Sequence, residues 1–156
     1  MATQIQYDCF KHVYDLENEH YKDIQNACKI YISICSFFLG GLAFKLHAVF
    51  SAASTPAKVI FILSVISFVF AFIFVLLATW AYSYQALCRP AEYIENLGTA
   101  PPTDGEFLDD RIVDIAYAWD VNSAVNNRKG RFLQVASIGM LFGVILAFFS
   151  LLISLT

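Results

Sequence analysis

Hydrophobic and polar positions divide this chain into three long apolar runs with polar segments around them. The runs cover residues 30–50, 59–88 and 132–156, and the middle one contains no Lys, Arg, Asp, Glu or His. A helix of about 20 apolar residues crosses a bilayer core about 30 Å thick. Because lipid offers no hydrogen-bond partner to the backbone, each run must be helical there. The pattern predicts an all-α membrane protein with three transmembrane helices.

Residues 5–29 are polar but periodic. Apolar side chains recur at steps of three, four and seven from Tyr7 to Tyr31, with Glu17 as the one polar interruption and an acidic face on the other side. We expect this amphipathic cytoplasmic helix to continue without a break into the first span. Lys45 lies near the far end of that span, where its long stem can carry the ammonium to the interface.

Prolines divide the segment between the second and third spans. Pro90 opens a short predicted helix, 90–97, and Pro101 and Pro102 then force an extended linker. A further helix, 104–130, begins at a capping box whose residues are Thr103 and Glu106. One row of this helix is apolar and then continues as amides: Leu108, Ile112, Ile115, Trp119, Asn122 and Asn126. Together these elements predict a single helical membrane domain, 1–156, with amphipathic cytoplasmic extensions.

Orientation follows from the basic residues. Residues 1–29 and 86–131 contain eight of the ten Lys and Arg side chains, which favours the cytoplasm for both segments. Three spans then place the C-terminus outside. The N-terminal segment lacks the apolar region of a cleavable signal peptide. We expect a multi-pass protein of the bacterial inner (plasma) membrane.

Composition narrows the possible functions. The chain is 58% hydrophobic and 15% charged, with a mean hydropathy of +0.60, whereas soluble domains are about 25% charged. A net charge of −3 without a dense basic run argues against a nucleic-acid partner. The four cysteines form no CxxC pair and no zinc spacing, and they are interpreted as reduced thiols. No cofactor is expected.

Catalytic patterns are missing from the sequence. There is no GxSxG, Walker or HExxH motif, and the spans lack the ionisable residues that intramembrane proteases and ion-coupled carriers use. We therefore expect a protein that is not an enzyme. His12, Asp15 and Glu19 share a helix face, which either is a solvated acidic face or holds a divalent cation together with ligands from a second helix. A hydrophobically gated pore needs no charged lining and stays open as an alternative.

Small residues mark helix-packing positions. Gly139 and Gly143 form a GxxxG motif that Ala147 extends, so a neighbouring backbone can approach this face. The neighbour is either another span of the same chain or a second copy. Gly40 and Gly41 give the first span a comparable small face.

A polar collar is predicted where the last cytoplasmic helix meets the third span. It consists of Asn122, Asn126, Arg128, Lys129 and Arg131. It either lines an opening in an oligomer or binds lipid phosphates and fixes the depth of the span. The apolar row that ends before it needs a partner surface of its own. The predicted cytoplasmic interface contains Trp119, Asn122, Asn126, Arg128, Lys129 and Arg131.

The layout from residue 15 to 97 resembles the SLATT-type and related small transmembrane effectors of bacterial anti-phage systems. The shared features are a cytoplasmic amphipathic helix, a tight hairpin of two spans from Ile30 to Cys88, and a helix that returns to the cytoplasm. The third span departs from the usual two-span form. The resemblance implies homo-oligomers that disrupt or depolarise the membrane when a partner senses infection. The alternative is a non-enzymatic membrane anchor or scaffold that recruits a cytoplasmic protein.

Overall fold

The computed structural model describes residues 3–52, 54–80 and 103–154, and the regular structure in these ranges is entirely α-helical. The helices are α1 (Gln4–Ala52), α2 (Thr55–Trp80) and α3 (Asp104–Ser154). The predicted helix 90–97 and the predicted end of the second span, 81–88, lie outside the described residues.

All three helices are long and apolar enough to cross a membrane, which confirms three candidate spans. The 26 residues of α2 extend about 39 Å, and the 49 residues of α1 and 51 of α3 extend about 75 Å each. Both long helices therefore exceed one span of about 30 Å. The helix predicted for 104–130 and the span predicted for 132–156 belong to one continuous helix, because the polar residues between them include no proline and the lone Gly130 does not end it.

Capping boxes begin both long helices. The Thr103 N–H donates to Glu106 Oε2 at 2.9 Å, and the Glu106 N–H donates back to Thr103 Oγ1 at 3.4 Å, as the sequence predicts. At the start of α1, Thr3 and Gln6 repeat this exchange with distances of 2.9 and 3.4 Å. These bonds satisfy backbone donors that the first helical turn leaves without partners.

Backbone contacts group the chain into two compact units. The paired-helix unit comprises Met1–Asp23 and Tyr82–Asn127, and the three-helix unit comprises Ile24–Ala81 and Arg128–Thr156. The single helical domain remains a prediction.

The paired-helix unit contains a small aromatic and aliphatic core. Tyr14, Ile115 and Ala118 are buried there, and the half-buried Tyr7 packs against them. Tyr7 and Tyr14 are seven residues apart, so both lie on the same side of α1.

The three-helix unit packs with a heptad period. Buried residues of α2 recur at alternating steps of four and three, the spacing of left-handed helix bundles. Phe68 is central to the core, where its ring stacks on Phe38 of α1 with centroids 4.9 Å apart. The buried row of α2 is Ala57, Phe61, Ser64, Phe68, Ala71, Val75 and Ala78.

Serine hydroxyls join α2 to α3 within this unit. In an apolar environment, a hydroxyl that donates to a carbonyl of the facing helix leaves no polar hydrogen unsatisfied. Since low residue numbers on α2 pair with high numbers on α3, the two helices are antiparallel. The bonds are Ser64 to the Gly143 carbonyl at 2.8 Å, Ser67 to Gly139 at 2.8 Å, and Ser150 to Ala57 at 3.0 Å.

Candidate functional site

A row of small and polar side chains follows α1 through the three-helix unit. Its members recur at strictly alternating steps of three and four, so that they form one line on the helix surface. Every member is exposed in the described structure. We call this row the polar stripe, and it consists of Asn26, Lys29, Ser33, Ser36, Gly40, Ala43 and His47.

The polar stripe faces away from the core of its own unit. The core-facing row of α1 includes Cys28 and Cys35, both fully buried, and stripe residues Lys29 and Ser36 each follow a core residue by one position. One position is about 100° of helix rotation, so the two rows occupy different faces. In both rows the residues recur every 3.5 positions on average. The contacts of α1 with α2 and α3 have the same period.

Local hydrogen bonds reduce the polarity of the stripe only in part. The Ser33 hydroxyl donates to the Lys29 carbonyl of its own helix at 3.0 Å. A Cβ added at Gly40 would meet nothing within 4 Å, so the backbone of α1 is open to an approaching helix or to water at this position. A face built of hydroxyls, bare backbone and a histidine suits water or a second helix better than lipid tails.

Of the four predicted packing glycines, the two on α3 have close neighbours and the two on α1 do not. A Cβ at Gly139 would lie 3.2 Å from Ala71 Cβ, and a Cβ at Gly143 would lie 2.8 Å from the Phe68 ring. Gly139 and Gly143 thus face α2 of the same chain. Ala147, one turn further along α3, is half-buried.

Gly40 and Gly41 both lie beside open space. Because consecutive residues point about 100° apart on a helix, they belong to different faces. Gly40 is part of the polar stripe, whereas Gly41 lines an apolar groove with residues of α2 and α3.

The predicted amides lie in the paired-helix unit and are buried. Asn126 donates through Nδ2 to the Glu17 carbonyl at 3.2 Å and to Glu17 Oε1 at 2.5 Å, while its own Oδ1 is buried without a hydrogen-bond partner among the described residues. Asn122 is fully buried. Trp119 lies at the edge of this face with 39% of its surface exposed.

The predicted basic residues belong to the three-helix unit. Lys129 is 1% exposed, and burial lowers the pKa of its ammonium. Arg128 and Arg131 are exposed, and the Arg128 guanidinium lies 6.0 Å from the centroid of the Phe132 ring. The collar residues therefore divide between buried and exposed positions.

The acidic face of the paired-helix unit is exposed in the described structure. His12, Asp15 and Glu19 are all exposed. Within residues 3–52, 54–80 and 103–154, no three His, Cys, Asp or Glu side chains form a group that could hold a metal ion. Cys9, Cys28 and Cys35 are free thiols.

The polar stripe is missing from the sequence-based expectations, although its signal is present in the sequence. The signal is the repeat of small and polar residues from Asn26 to His47, which follow one another at alternating steps of three and four. Among known proteins, no family model, curated protein or solved structure matches this chain.

Proposed function

We propose that the chain is a homo-oligomeric membrane protein that permeabilises the membrane, with the polar stripe of α1 lining the aqueous path. In this arrangement, α2 and α3 support α1 from behind. Copies of α1 from several protomers then surround a common axis.

The observation that supports this proposal is the exposure of the whole stripe. A helix in lipid gains nothing from turning hydroxyls and bare backbone towards acyl chains. Assembly around an axis removes the stripe from lipid and leaves the apolar residues on the other faces of α1 in contact with protein or tails. The regular 3.5-residue period keeps the stripe aligned with the axis of such an assembly.

The chemistry of the stripe fits a path that opens by wetting. Between Lys29 and His47 it carries no ionisable side chain, and its members there are small. Narrow pores with weakly polar walls exclude water when constricted and conduct when widened. A modest rotation or separation of the α1 helices would therefore be enough to switch conduction.

The proposal includes the orientation and setting expected from the sequence. The paired-helix unit lies in the cytoplasm as an amphipathic extension, residue 154 lies outside, and the membrane is the bacterial inner membrane. The resemblance to anti-phage effectors suggests that a cytoplasmic protein partner supplies the trigger.

A matched pair of glycine variants tests the path. Purified full-length protein is reconstituted into vesicles and planar bilayers, and flux of a small dye and single-channel currents are recorded. Gly40→Leu places a bulky side chain in the stripe and is expected to abolish the flux. Gly41→Leu adds the same side chain one residue away, outside the stripe, and is expected to conduct.

Two results would contradict the proposal. One is a wild-type protein that is monomeric by native mass measurement and silent at every applied voltage. The other is equal flux through both glycine variants, because the stripe would then be irrelevant to the path.

A groove in the paired-helix unit favours a second function, a scaffold that recruits a cytoplasmic protein. The groove has a volume of about 220 Å³ and is lined by Cys9, Phe10, Val13, Ala116 and Trp119. Apolar surface of this kind commonly marks a protein-interaction site. A stable stoichiometric partner that is lost in Trp119→Ala, together with an intact membrane barrier, would support the scaffold over the pore.

A further inference from the structure

The three-helix unit contains an apolar groove that is separate from the polar stripe. Its volume is about 210 Å³, and all three helices contribute to its walls. On α1 it is lined by Phe37, Phe38, Gly41, Leu42 and Lys45, and across from them by Phe61, Ala147 and Leu151.

Gly41 keeps the groove open. A Cβ at this position would meet nothing within 4 Å, so that even a methyl group would extend into free space. Phe37 and Lys45 are each four residues from Gly41, which places all three on one side of α1. By helical rise, the groove extends about 12 Å along α1 from Lys45 to Phe37.

Among the described residues that line the groove, Lys45 is the charged one. It is exposed, and it forms no ion pair with any residue in the part of the chain that the structure describes. The Lys45 stem lines the apolar wall, while the ammonium can reach the headgroup region near the end of the span. The groove thus combines an apolar slot for a chain with a cation at its outer end.

We infer that this groove binds an anionic phospholipid, with one acyl chain against Gly41 and the phosphate on the Lys45 ammonium. An acyl chain fits because the walls are apolar and the slot extends about 12 Å along α1. Since lipid tails are as apolar as the walls, preference for one lipid must come from its headgroup. A cation at the mouth selects net negative charge over a zwitterion.

This inference does not depend on conduction through the polar stripe. The stripe and the groove occupy different faces of α1, because Gly40 belongs to the stripe and Gly41 lines the groove. A variant that fills one leaves the other unchanged, so the two ideas succeed or fail separately.

The experiment is native mass spectrometry of the full chain in bilayers of equal phosphatidylglycerol and phosphatidylcholine. We expect the wild type to retain phosphatidylglycerol preferentially, at about one molecule per protomer. Gly41→Leu fills the slot and should lose most of the bound lipid, whereas Gly40→Leu, the matched control, should retain it. Lys45→Gln leaves the slot open and should remove the preference between the two lipids.

Far-UV circular dichroism and monodispersity establish that each variant is folded, and Lys45→Gln decides the question if Gly41→Leu does not fold. Equal retention of the two lipids by the wild type would overturn the inference, as would unchanged phosphatidylglycerol binding in Lys45→Gln. If no variant retains lipid and Gly41→Leu instead changes the number of subunits, the groove is an interface between copies and the lipid site is wrong.

Discussion

The contact between Gly143 and Phe68 allows a direct test of how the three-helix unit is held together. A Cβ added at residue 143 would lie 2.8 Å from two carbons of the Phe68 ring and 3.1 Å from a third. That ring is fully buried and stacked on Phe38, so it has little room to retreat. We expect Gly143→Ala to destabilise the fold, even though alanine is the better helix former.

The size of the effect follows from two opposing contributions. Overpacking a filled core costs about 1–3 kcal/mol. Replacing glycine with alanine inside a helix returns up to about 1 kcal/mol. Because the Phe68 ring has little room to retreat, the cost lies in the upper half of that range, about 2–3 kcal/mol, and the net destabilisation of Gly143→Ala is about 1–2 kcal/mol. At Gly40 nothing lies within 4 Å of the new methyl, so Gly40→Ala should be neutral or stabilising by up to about 1 kcal/mol.

The assay is equilibrium unfolding in mixed micelles with an increasing mole fraction of sodium dodecyl sulfate, followed by far-UV circular dichroism. Phe68→Leu in the Gly143→Ala background should recover part of the loss, because the smaller side chain leaves room for the methyl. Equal stability of Gly143→Ala and Gly40→Ala would refute the close packing of α3 on α2.

Three further predictions concern polar groups. Hydrogen bonds from Thr103 lower the pKa of the Glu106 carboxyl. The first turn of α3 should therefore be protected against amide exchange above the ordinary carboxyl pKa, and it should lose this protection as the pH falls through the lowered pKa. Ser64→Ala should cost about 0.6 kcal/mol, whereas Ser33→Ala, which loses only a bond within its own helix, should cost nearly nothing in the same micelle assay. Asn126→Asp should destabilise the paired-helix unit by about 1–3 kcal/mol, since it places a second carboxylate beside Glu17, and Glu17→Gln should restore it.

Each of these has a clear contrary result. The capping bonds would be excluded if amide exchange in the first turn of α3 changed with pH only as much as the intrinsic exchange rate does. Equal costs for the two serine variants would mean that the bond between helices contributes nothing. If Glu17→Gln did not restore the stability of Asn126→Asp, the contact between these two side chains would be refuted.

The fold could be predicted from the sequence where a single helix carries the signal. Charge-free runs locate three spans, and the polar residues before Ile30 contain no helix breaker, so the continuity of α1 follows. The capping box at the start of α3 is likewise a local pattern. These features depend on a chain segment and its solvent, not on which helices become neighbours.

The candidate site could not be predicted in the same way. Gly40 and Gly41 are adjacent in sequence and read as one small face, yet a 100° rotation assigns them to different surfaces. Lys129 resembles a member of an exposed basic cluster until the packing of its helix buries it. The serine bonds between α2 and α3 require the register of two helices, which composition and periodicity do not supply.

The central claim is that the polar stripe faces water inside an assembly, and cysteine accessibility tests it most directly. Single cysteines are introduced into full-length protein lacking its four native cysteines, and a charged, membrane-impermeant thiol reagent is applied to the protein in vesicles. We predict labelling of Ser33→Cys, Ser36→Cys and Gly40→Cys but not of Ile34→Cys or Gly41→Cys, all of which are exposed positions in one protomer. Absence of labelling at the stripe, or equal labelling at all five positions, would contradict the account.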